Sequence, residues 1–216
     1  HWLFQLLAFA VHGIGGAAAL VWAKSILFAA ACTVLFYAHA GRRDYAAGCG
    51  ILCLLVFQAR FLVLARPIVL TLLLCAVFLF CLERFRASRR WWYLLPLIPA
   101  QLLWTNSQGL FALGVIIAGA YAAGTVVHWA FDRARRHGRD SATKARTILP
   151  LLAVPAALVL VCFVNPYGLD GVVFPLRLFG RIDPSLGNIY AENVTENAPL
   201  MSLLPREPGM VYAVFV

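Results

Sequence analysis

From Trp91 to Phe131 the chain stays apolar for about twice the length of a membrane span. A span takes roughly 20 residues at 1.5 Å rise each, so one helix cannot hold this stretch. Near its middle lies "TNSQG", Thr105 to Gly109, a run of hydroxyls and amides with apolar sequence on both sides. Folding the chain there gives two helices joined by a polar hairpin at one membrane face. A chain under this constraint is expected to be all-α, a polytopic transmembrane helical bundle.

The rest of the sequence agrees. Hydrophobic residues make up 62% of the 216, against about 45–50% in an ordinary soluble domain, and the mean hydropathy is +0.83. The apolar runs are continuous and lack the alternation of a lipid-facing barrel strand. A net charge of +9 would point to nucleic acid in a soluble protein. Here the arginines cluster beside apolar spans with no aromatic-interleaved basic groove, so membrane topology and anionic headgroups account for them and nucleic acid is excluded.

Six crossings are expected between Gly16 and Val164. His1 to about Gly13 reads as a short apolar helix ending at the break "HGIGG", and about Gly16–His39 as the first span. Spans at about Ala46–Leu64 and Pro67–Leu82 follow, then the two helices of the Trp91–Phe131 hairpin, then about Thr147–Val164. Pro166 and Gly168 in "NPYG" stop that last helix. Residues 165–207 read as a polar external loop with a short amphipathic helix near "GVVFPLRLFG", within one transmembrane domain covering 1–216. The ending "YAVFV" reads as a further span beginning, and with a start at His1-Trp2 it suggests the middle of a longer protein.

The loops at 41–45, 83–90 and 132–146 carry two, four and six Arg/Lys, twelve of the chain's eighteen. The positive-inside rule places them in the cytoplasm, where they read as basic anchors. Alternation then puts "HGIGG", "ARFLVLARP", "TNSQG", "NPYG" and "AENVTENAP" together on the external side.

Candidate chemistry gathers on that external face. Arg66, and less so Arg60, sits against the charge bias: it either anchors at headgroups or binds an anion such as a lipid-linked phosphate, which guanidinium grips bidentately. Lys24 lies roughly 12 Å into its span and either snorkels outward or holds an anionic headgroup. Asn106 and Gln108 either cap the hairpin's helix ends or bond sugar hydroxyls and phosphate. Trp2, Trp104 and Tyr167 fit stacking on a sugar or an interfacial aromatic belt. Glu192 and Glu196 are the only close carboxylate pair: a solvated loop, a general base, or ligands of a divalent cation.

Other signals are missing. Cys32, Cys49, Cys53, Cys75, Cys81 and Cys162 all fall in apolar runs, and no histidine or CxxC completes a zinc site. They are expected to be unpaired thiols. The five histidines show no metal spacing, and no Walker loop, GxSxG or HExxH occurs.

Four stretches, "HWLFQLLAFAVHGIGG", "LARPIVLTLLLCAVFLFCLER", "LLPLIPAQLLWTNSQGLFALG" and "NPYG…ENVTENAPL", stand in an order that resembles a group of large bacterial multi-spanning proteins similar to the GT-C superfamily of membrane glycosyltransferases. The matching positions are Trp2, Arg66-Pro67, Trp104, Asn106, Gly109, Asn165 to Gly168, and Glu196. Gln108 departs from the group's pattern, which has histidine there. The resemblance implies a bacterial inner-membrane enzyme that uses a polyprenyl-phosphate sugar donor at an external site. It also implies a catalytic aspartate in a loop upstream of His1, with Glu196 orienting an acceptor or a metal. Two other readings stand beside it. One is a non-catalytic subunit packing against protein partners through small-residue stretches such as "GGAAAL" and "GAYAAG"; the other is a lipid or polysaccharide transporter.

Overall fold

The computed structural model describes residues 2–39, 48–50, 53, 56, 68–135 and 141–182. All regular structure among them is helical. In chain order the elements are α1 (Trp2–His39), α2 (Ile68–Ser88), a 3₁₀ turn (Trp91–Leu94), α3 (Leu97–Ser107), a second 3₁₀ turn (Gly109–Phe111), α4 (Ala112–Arg135), α5 (Ser141–Cys162) and α6 (Gly168–Ile182). The chain divides into two compact units, His1–Gly168 and Leu169–Val216.

Three helical stretches are long and apolar enough to cross a membrane: Trp2–Ala38, Ile68–Ser88 and Gly109–Phe131. The protein is therefore membrane-embedded. The expected span at 46–64 lies largely outside the described residues. One further expected crossing forms a shorter helix, α3 with 11 residues, roughly 16 Å; the crossing expected at 147–164 falls on α5, which has 22 residues.

The break expected at "HGIGG" is present. Gly15 and Gly16 leave helical geometry, Gly16 at φ 62° and ψ −150°, a region open in practice only to glycine. Beyond it, Ala17 to His39 runs for roughly 34 Å, enough for the ~30 Å hydrocarbon layer.

α2 is the central pillar of the first unit, packing against α1, α3, α4 and the Trp91–Leu94 turn. Ala76, Phe78 and Leu82 on it are fully enclosed. Phe78 meets the buried ring of Trp104 edge-to-face, centroids 5.7 Å apart. Lipid is as apolar as these side chains, so helices in it are held by close packing and interhelical hydrogen bonds rather than by exclusion of water. Hydroxyls within the helices are satisfied locally: Ser25 donates to Val21 O, Thr33 to Ala29 O and Thr125 to Tyr121 O, the usual i−4 back-bond.

One close approach joins α3 to α4. A Cβ at Gly114 would run into Oε1 of Gln101 and lie 3.1 Å from the Phe78 ring. Any larger residue there would have to push the buried Gln101 side chain aside.

In the second unit, α6 carries Asp170 and Arg177 in a 2.8 Å ion pair, while Leu169 and Leu176 are exposed. This is the amphipathic helix that the sequence places near "GVVFPLRLFG".

Candidate functional site

The hairpin residues lie where four helix ends come together. α3 ends at Ser107, Gln108 is extended at φ −155° and ψ 150°, and the chain re-enters helix through the Gly109–Phe111 turn. Beside this corner lie the beginning of α1, through Trp2, the first turn of α2, through Thr71, and the end of α5, through Cys162 and Val164.

Asn106 ties three of these ends. Its Nδ2 donates to Leu102 O at 2.9 Å within α3 and to Val164 O at 3.0 Å just past α5. Its Oδ1 accepts from the indole Nε1 of Trp2 at 3.1 Å. Val164 lies two residues past the end of α5, so Asn106 ties the chain leaving that helix to α3.

A second chain of bonds runs beside it. Trp104 Nε1 donates to Thr71 Oγ1 at 3.2 Å, and the Thr71 hydroxyl donates to Gln108 Oε1. Trp104 can only donate and Thr71 can do both. The relay therefore turns the amide oxygen of Gln108 inward and leaves its NH₂ as the group available to a ligand.

A third cluster lies deeper. Gln101 is fully buried, and its Nε2 donates to Phe111 O at 3.0 Å, to Cys162 Sγ at 3.3 Å and to Thr105 Oγ1 at 3.4 Å. Its Oε1 has no hydrogen-bond donor and rests against Gly114.

"NPYG" forms a closed turn. Asn165 Nδ2 donates to Cys162 O at 2.8 Å and to Gly168 O at 3.1 Å, and its Oδ1 accepts from Tyr167 N at 2.8 Å. The Tyr167 side chain stays exposed.

Of the candidate residues, Trp104, Asn106 and Gln108 are brought together, joined by Trp2. Trp104 has no exposed surface, so it backs the cluster rather than offering a face for stacking. Lys24 is half-buried within α1, two turns beyond Gly16. Arg60, Arg66, Glu192 and Glu196 lie outside the described residues. No group of three or more His, Cys, Asp and Glu gathers among the described residues, and the cysteines are free thiols. Thr71 and Gln101 are participants that sequence reading passed over, though each stands as a lone polar residue in an apolar run.

The opposite end of the bundle holds different chemistry. Arg84 donates to Tyr37 O at the end of α1, 3.3 Å away, and Tyr121 on α4 donates to Glu83 at 2.7 Å.

No protein-family model, no curated protein and no solved structure matches this chain.

Proposed function

We propose that this chain is the membrane-embedded part of a GT-C-like glycosyltransferase of the bacterial inner membrane. It would take a sugar from a polyprenyl-phosphate donor at the external, periplasmic face, and its described helices would belong to a six-span bundle. The observation that carries the reading is convergence. Segments far apart in sequence that share the resemblance, "HWLF", the opening of α2 beside Arg66-Pro67, "WTNSQG" and the residue before "NPYG", supply Trp2, Thr71, Trp104, Asn106, Gln108 and Val164 to two adjoining hydrogen-bonded chains at one corner.

In this reading Arg66, two residues before the start of α2 at Ile68, binds the lipid phosphate with Lys24 supporting it. Gln108 donates its NH₂ to a phosphate or sugar oxygen, and Tyr167 offers an exposed ring to the sugar. Glu192 and Glu196 orient an acceptor or hold a divalent cation, and the catalytic acid comes from chain preceding His1.

A second reading is favoured by one specific observation: both N–H bonds and the oxygen of Asn106 are taken by Leu102, Val164 and Trp2. A cluster that spends its polar groups on itself suits a scaffold subunit that packs with partners and performs no chemistry.

The test is binding of a short-chain polyprenyl phosphate to the purified full-length protein, followed by transfer from a labelled polyprenyl-phosphate sugar. Arg66→Ala and Gln108→Leu are expected to weaken binding at least tenfold, and Arg135→Ala to leave it unchanged. Equal effects of all three would remove the phosphate site, and intact binding without transfer would favour the subunit.

A further inference from the structure

At the end of the bundle opposite the polar cluster, α2 closes on "ERFRASRRWW", Glu83 to Trp92. Four arginines share this stretch with one carboxylate. Two of them are engaged within the protein: Arg84 bonds Tyr37 O and lies over the Phe80 ring at 5.2 Å, and Arg86 pairs with Glu83 at 3.6 Å. Arg89 and Arg90 are exposed and have no carboxylate within ion-pair distance among the described residues.

Arg89 also stands where the backbone disfavours it. Its φ is +58°, the only positive value among the described non-glycine residues. Helices that stop this way usually place glycine at the position, because a Cβ there is strained. A strained side chain at an exposed helix end points to a use for that side chain.

The neighbours say what use. Arg90 stacks its guanidinium over the Trp92 ring at 5.1 Å, which holds its plane while leaving its N–H edges free to bond. Trp91, Trp92 and Leu95 are exposed beside it, Trp91 at 60%. Exposed indoles at the end of an apolar helix belong at the headgroup level of a bilayer, and paired guanidinium groups bind phosphate oxygens in bidentate fashion.

We propose that Arg89 and Arg90, with Trp91 and Trp92, form a binding site for the phosphodiester of an anionic phospholipid, its acyl chains lying along the exposed indoles and Leu95. The site is independent of the glycosyltransferase reading. The basic excess of this end selects anionic over zwitterionic lipid, and the adjoining apolar surface selects a lipid over a free anion.

The test uses the full-length protein in nanodiscs made from an equal mixture of phosphatidylglycerol and phosphatidylcholine. Lipids retained after detergent extraction are counted by native mass spectrometry. The native protein is expected to retain phosphatidylglycerol several-fold over its bulk share. Arg89→Gly and Arg90→Gln are each expected to lower that preference about fivefold, on the order of one arginine's contribution at an anionic surface, and Arg133→Gln to leave it unchanged. The thermal midpoint of Arg89→Gly in phosphatidylcholine alone is expected to hold or rise, which separates lost binding from lost folding. Undiminished retention in both variants would overturn the proposal. So would displacement of the retained lipid by inorganic phosphate at comparable concentration, which would mark a plain anion site.

Discussion

Trp2 and Asn106, 104 residues apart, are joined by a 3.1 Å hydrogen bond from the indole Nε1 to the amide oxygen. The bond fastens the beginning of α1 to the hairpin corner on the far side of the Gly15–Gly16 break. Without it, the buried Asn106 would lose the donor to its Oδ1. Trp2→Phe keeps the ring and removes the donor, and is expected to lower stability by about 1 kcal/mol. Asn106→Ala also strands Val164 O and is expected to cost more. A double-mutant cycle read by denaturation in mild detergent checks the pair, with a coupling of roughly 0.6–1.7 kcal/mol expected for an interhelical bond in a membrane protein. Simple additivity would show that the bond contributes nothing.

Much of this corner was legible in the sequence, and for a definite reason. Polar residues are so costly in hydrocarbon that "TNSQG" had to mark a turn or a site, and the structure makes it a turn whose side chains bond to neighbouring segments. The break at "HGIGG", the stop at "NPYG" and the amphipathic helix after it follow from glycine, proline and charge placement in the same way. Thr71 and Gln101 were not legible. One polar residue in an apolar helix shows that a partner exists but not which, because the partner depends on how each helix is rotated. The length of α3 was hidden too. Apolar composition says how far a stretch could reach across a membrane. It does not say that Trp91–Leu94 would wind as 3₁₀ and leave α3 with 11 residues.

The Trp104–Thr71–Gln108 relay predicts an asymmetry between two small substitutions. Thr71→Val is close in shape but takes away both the acceptor for Trp104 Nε1 and the donor to Gln108. Trp104 is fully buried, so its N–H would be left without a partner, at a cost of about 1–3 kcal/mol. Thr71→Ser keeps the hydroxyl and loses only a methyl group. It is expected to retain most of the stability that Thr71→Val loses. Equal losses, measured as denaturation midpoints under one set of conditions, would mean that the packing of Thr71 matters and its hydroxyl does not.

Gly114 predicts a repairable lesion. A methyl group there would collide with Gln101 Oε1 and press on Phe78. Overpacking of this kind costs roughly 1–3 kcal/mol, so Gly114→Ala is expected to unfold at a distinctly lower midpoint. Shortening the obstructing side chain makes room, and Gln101→Ala in the Gly114→Ala background is expected to recover part of the loss. Full recovery is not expected, because Gln101 also bonds Phe111 O and Cys162 Sγ. If the double variant is less stable than either single one, the collision is not the cause.

Gly16 and Arg89 share a positive φ, 62° and 58°, and this predicts opposite signs for exchanging their residue types. At Gly16 the accompanying ψ of −150° is one that a Cβ does not tolerate, and Gly16→Ala is expected to cost about 1–3 kcal/mol. It would also shift the angle at which the Trp2 end of α1 reaches Asn106, so its penalty should shrink in a Trp2→Phe background. At Arg89 the strain is already present. Arg89→Gly relieves about 1–2 kcal/mol of it, partly offset by the greater freedom of glycine in the unfolded chain, for a net gain of up to about 1 kcal/mol. Thermal unfolding in a zwitterionic lipid, where the arginine has no anionic partner, isolates this backbone effect. A loss of stability there would show that the Arg89 side chain holds the helix end together, and its strained backbone would then need no ligand to explain it.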